Sequence, residues 1–76
     1  MLALPSLWAK ALAAALTARG DARMSDANAS PRLKYRAALA DYNRALKIDP
    51  THKGALEAKA TIESIYKMMG RPIPSA

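Results

Sequence analysis

The stretch "ALADYNRALKIDPTHKGA", Ala38 to Ala55, decides how the chain is to be read. Tyr35, Ala38, Leu39, Tyr42, Ala45 and Leu46 recur at i, i+3, i+4 and i+7, the spacing of one helix face. Arg36, Asp41, Arg44 and Lys47 fall mostly on the other side. The run then meets Asp49-Pro50. The residue before a proline avoids the α region, so the helix ends there. A second apolar period follows at once, with Thr51 as its expected N-cap. Two helical segments joined by so short a link predict a helical hairpin.

Working outward, the helix holding the quoted stretch begins with Ser30-Pro31. Serine is a good N-cap, and proline suits the first helical position, where a missing N–H is no loss. Downstream, Ala55, Ile62, Ile65, Tyr66 and Met69 make the next stripe, with Ala58 and Lys59 at its edge. Gly70 is placed to close that helix and Pro72 to prevent its continuation. The tail "RPIPSA", 71–76, is expected to be extended and poorly ordered unless something holds it.

Upstream, Leu7, Trp8, Ala11, Leu12, Ala15 and Leu16 recur at helical spacing. Pro5 suits the first turn and Gly20 the position past the end, which predicts a helix over about 5–19. "GDARMSDANASP", 20–31, is rich in turn-forming residues and has no apolar period, and reads as a mobile loop. The organisation expected is therefore an N-terminal amphipathic helix (1–19), a loop (20–31), a helical hairpin (32–70) and a tail (71–76). No strand period occurs, so the fold class expected is all-α.

Composition narrows the chemistry. The chain has 76 residues, no cysteine, one histidine and a formal net charge of +6. Without cysteine there are no disulfides and no thiolate zinc sites. His52 has no second histidine with which to share a metal. The excess of 12 Lys plus Arg over 6 Asp plus Glu favours polyanionic surroundings, although the basic residues are scattered. The first twenty residues hold no acidic side chain, and Lys10 interrupts their apolar run, which is too short to span a bilayer. A basic, acid-poor, amphipathic start fits import into a mitochondrion or another organelle. The preferred reading is a retained structural helix, and the location expected is intracellular.

Ala38, Tyr42, Ala45 and Pro50 resemble the second half of the tetratricopeptide repeat (TPR), in which a small residue, an aromatic, an alanine and a proline stand at these intervals. "ALKIDP", Ala45 to Pro50, adds to the likeness, and "THKGALEAKA" resembles the start of a following repeat, with Leu56 at a large-residue position and Ala60 at a small one. The resemblance covers about residues 32–70 and does not extend to the first helix, which takes the place of the repeat's opening helix across a longer loop. It implies that Ala38 and Ala45 let a neighbouring helix approach, that Tyr42 fills the groove between them, and that the last helix acts as a terminal cap. Some members of the family hold peptide C-termini with a lysine and an arginine four residues later. Lys53 matches the first, but Glu57 stands at the second and would repel a carboxylate.

No catalytic constellation is evident. Glu57 and Glu63 read as solvated helix residues, Ser30 and Thr51 as caps, and His52 as a surface or capping residue. The three glycines form no phosphate loop. Tyr35, Tyr42, Tyr66 and the Met68-Met69 pair read as core. The chain holds about one and a half repeat units where about three build a continuous core. The function expected is a non-catalytic interaction or accessory subunit of a larger multiprotein assembly, without cofactor, metal or small-molecule substrate. Its partner-binding candidates are Leu7, Trp8, Leu12 and Leu16. A basic helical protein that binds RNA or touches an anionic membrane surface is the second reading.

Overall fold

The computed structural model describes residues 6–74. They form three α-helices and no strand: α1 (Leu7–Met24), α2 (Pro31–Ile48) and α3 (Lys53–Met68). Ala45 packs with Ala13 of α1 and Ala55 of α3, while Ala38, Leu39 and Tyr42 pack with Ile62 and Tyr66 further along α3. These pairings run in opposite directions along neighbouring helices, so each helix is antiparallel to the next. α1 and α3 both lie on α2 and barely touch one another. The thinnest dimension is 16 Å against a length of 38 Å. The helices thus form one layer with α2 in the middle, instead of a bundle in which all three pairs meet.

The ends of α2 follow the sequence closely. Ser30 Oγ accepts from the Leu33 N–H at 3.4 Å and Pro31 opens the helix. At the other end Asp49 leaves the helical region and is buried. Its Oδ1 accepts from the Thr51 N–H at 3.1 Å and the Thr51 hydroxyl at 2.7 Å. Thr51 therefore braces the turn and is not the cap of α3. His52 holds that position and makes no side-chain cap bond. At the end of α3, Gly70 has φ 67°, a left-handed conformation that favours glycine. The Gly70 and Arg71 N–H groups bond to the Lys67 and Tyr66 carbonyls, a Schellman closure.

α1 departs from expectation. It is capped by Ser6, whose Oγ accepts from the Ala9 N–H at 3.1 Å, and it runs past Gly20 to Met24. The link to α2 is residues 25–30, not 20–31. The expected role of Pro5 lies outside the described residues, as do residues 1–4, 75 and 76. Gly20 does not end the helix because it is needed inside it. A Cβ there would lie 2.6 Å from Tyr42 Cε1, so only glycine lets the ring sit against the α1 backbone.

Met68 and Met69 do not continue the core, since both side chains are exposed. Met68 stands about 200° around the helix from buried Tyr66, and Met69 is already the C-cap of α3.

Candidate functional site

α1 has two faces, and Leu7 and Trp8 lie on the one that packs against nothing. Its buried residues are Ala13, Thr17 and Gly20, spaced by four and three. These small side chains seat α1 closely on α2, and Met24 extends the same face onto the cluster around Leu39 and Tyr42. The Thr17 hydroxyl donates to the Ala13 carbonyl at 2.8 Å and so needs no partner across the interface. Residues step about 100° around a helix. Leu7, Ala11, Ala15, Ala18 and Ala22 therefore point away from α2, and all five are exposed, with Trp8 beside them. Leu7 is 87 % exposed and Trp8 73 %.

The expected α1 stripe is thus divided. Leu12 and Leu16 lie half-buried on its flank, with Leu16 packed against Ala13, Ala45 and Ala55. Leu7 and Trp8 stand in the open, with Ala11 and Ala15. The structure groups Leu7, Trp8 and the alanine row on one surface and gives Leu16 to the core.

Polar groups fix the rotation of α1 about its axis. Arg23 Nε donates to Asp41 Oδ2 at 2.8 Å, and Arg19 Nε lies 3.6 Å from the same oxygen. Asp41 is 2 % exposed. It was expected on the solvated side of α2, but it falls between Ala38 and Ala45 and reaches α1 instead. From the next position on α2 the Tyr42 hydroxyl donates to Asp21 Oδ1 at 2.5 Å. Burial, then this bond to a carboxylate, pushes the Tyr42 hydroxyl above its ordinary pKa. Asp49 is shifted the other way, held below the usual carboxylate range chiefly by the Thr51 hydroxyl. Both groups are engaged in contacts within the fold. Neither group opens onto the α1 outer face.

The remaining motif residues are internal. Ala38, Tyr42 and Ala45 are all buried, and Pro50 is exposed at the turn beside buried Asp49. Among the described residues no three metal-ligating side chains come together. No helix of the described residues is long and apolar enough to cross a membrane. No protein-family model, curated protein or solved structure matches the chain.

Proposed function

We propose that the chain is a non-catalytic protein–protein interaction module, an accessory part of a larger assembly built on a TPR-like scaffold. One observation carries the reading: the buried residues of α1 are alanine, threonine and glycine, while Leu7, Trp8 and a row of alanines face solvent. Aromatic residues are enriched among interface hot spots, and small residues let a helix approach closely. The occupant that fits is a partner's amphipathic helix, laid along Ala11, Ala15 and Ala18 with an apolar side chain against Trp8. A flat layer of three helices invites such an addition, because its outer helices are each covered on one side only. The TPR-like part of the proposal is supported by the burial of Ala38, Tyr42 and Ala45 and by the Asp49-Pro50 turn.

The test is site-specific photocrosslinking in a native lysate. A benzophenone amino acid at Leu7 is expected to capture one defined protein. The same group at Arg44, which is also exposed, is expected to capture none, and Trp8→Glu is expected to abolish capture from position 7. Crosslinks from position 7 to RNA or lipid alone would overturn the proposal and favour the basic-surface reading.

A further inference from the structure

On the other side of the layer, three arginines converge on a cleft of about 670 Å³ between the start of α2 and the end of α3. Arg32 and Arg36 are one turn apart and share a face of α2. Arg71 comes from the opposite wall. Its backbone is fixed by the bond from its N–H to the Tyr66 carbonyl, so the turn at Gly70 sets where its side chain starts. Among the described residues no carboxylate lines the cleft and none of these arginines forms an ion pair. The four aspartates that accept side-chain or turn hydrogen bonds (Asp21, Asp26, Asp41 and Asp49) do so elsewhere in the fold. The cleft is thus a local excess of unpaired positive charge with an apolar side at Met69.

We infer that this cleft binds an acidic peptide segment, with Arg32, Arg36 and Arg71 taking its carboxylates and Met69 an adjoining apolar side chain. The planar guanidinium fork matches a carboxylate with two parallel hydrogen bonds. A phosphate would match it too, but the aromatic residues argue against a nucleic-acid strand. Strand binding depends on exposed ring faces on which bases stack. Tyr66 is 6 % exposed, and the Lys34 ammonium stands 5.8 Å over the ring of Tyr35. Tyr66 is thus withdrawn from stacking, and a cation already stands over one face of the half-buried Tyr35. The site shares no residue with the α1 surface, so either can fail without the other.

The experiment is fluorescence anisotropy on the 76-residue chain at about 50 mM salt, where surface charges are only partly screened. The probe is a labelled Asp/Glu-rich peptide with a central leucine; its Asn/Gln counterpart and an oligouridylate of equal length are the comparators. Saturable binding of the acidic peptide is expected, with none of the amide version. Arg36→Gln and Arg71→Gln are each expected to weaken it at least about tenfold, as loss of one charge-assisted pair implies. Arg44→Gln, exposed but outside the cleft, and Trp8→Glu are expected to leave it unchanged. Arg71 lies beyond the three helices, so its variant keeps the test open should a change in α2 disturb the fold. Absence of saturation at about 1 mM peptide would overturn the inference. So would an equal loss with Arg44→Gln, which marks diffuse charge, or tighter binding of the oligouridylate sensitive to the same arginines.

Discussion

The two interfaces of α2 are built from different materials. Against α3 it uses bulk: Leu39 and Tyr42 meet Ile62 and Tyr66, with Ala58 packed alongside. Against α1 it uses proximity and polar ties: Ala45 on Ala13, the Tyr42 ring on Gly20, and Asp41 between Arg19 and Arg23. The first interface draws its stability from apolar area removed from water. The second depends on shape, since nothing larger than glycine fits beneath the ring. An interface of the second kind leaves a helix's large apolar residues free for another surface, and in α1 that is where Leu7 and Trp8 lie.

Ala45 belongs to both interfaces, so its replacement is expected to have the largest effect. Ala45→Arg drives a long charged side chain between Ala13 and Ala55. Overpacking alone costs about 1–3 kcal/mol, and the buried charge adds to it. A domain of this size has only about 4–11 kcal/mol of stability in total. Loss of a cooperative thermal transition is expected by circular dichroism. An unchanged midpoint would mean that the three helices do not meet at Ala45.

Gly20→Ala separates the interfaces. In an exposed helix the change would gain about 1 kcal/mol from propensity. Here the added methyl meets a buried ring that is held by its hydroxyl, so a net loss of about 1–3 kcal/mol is expected in urea titration. A stabilised variant would show that α1 can move off Tyr42 freely, and the contrast between the interfaces would be lost.

This position also shows what could be read from the residues alone. α2 and α3 were legible because their large apolar residues and their buried faces coincide: Leu39, Tyr42, Ile62 and Tyr66 all lie where the period puts them. In α1 they do not coincide. Leu7 and Trp8 lie on an uncovered face while Leu16 of the same stripe packs inward, so a period in hydrophobicity points only partly towards the core. Gly20 read as a terminator because a glycine inside a helix has a reason only when its neighbour in space is known. Asp41 read as solvated by its type, although its spacing from Ala38 and Ala45 put it within the buried stripe. The signal available was the pair Arg19 and Arg23, four residues apart and able to meet one carboxylate. The α1 surface itself was named in part, through Leu7 and Trp8. Arg32, Arg36 and Arg71 gave no sign of meeting, because two helices and a turn separate them along the chain.

Tyr42→Phe keeps the ring on Gly20 and removes only the tie to Asp21. A loss of about 1 kcal/mol is expected near neutral pH, typical of one hydrogen bond. The pH dependence is more telling. The folded hydroxyl titrates above its ordinary value of about 10, so folding favours the protonated form. Its contribution is fully present below pH about 10 and is lost as pH rises from there towards the folded value. Asp49 has the opposite sign: folding favours its carboxylate, so its contribution is present above the usual aspartate range and lost as pH falls through the lowered folded value. Tyr42→Phe is expected to flatten the alkaline limb of a stability-against-pH curve and leave the acid limb alone. An alkaline limb identical to that of the unaltered chain would show that neither burial nor Asp21 raises the hydroxyl's titration.

The smallest effect on stability is expected where the functional effect is expected to be greatest. Trp8 is the single tryptophan of the chain and is 73 % exposed on the uncovered face of α1. Substitutions away from packed or bonded features stay within about 0.5 kcal/mol, so Trp8→Ala is expected to leave the urea midpoint of the isolated chain almost unmoved. The same indole reports its own surroundings. In the native chain its emission is expected close to that of the denatured chain, and a neutral quencher such as acrylamide is expected to reach it nearly as well before unfolding as after. Bulk packing would give the reverse pattern, a blue-shifted, protected indole whose removal costs about 3–5 kcal/mol. That outcome would make α1 a helix held by its large residues after all, erase the difference between the two interfaces, and leave the α1 surface with nothing to offer a partner.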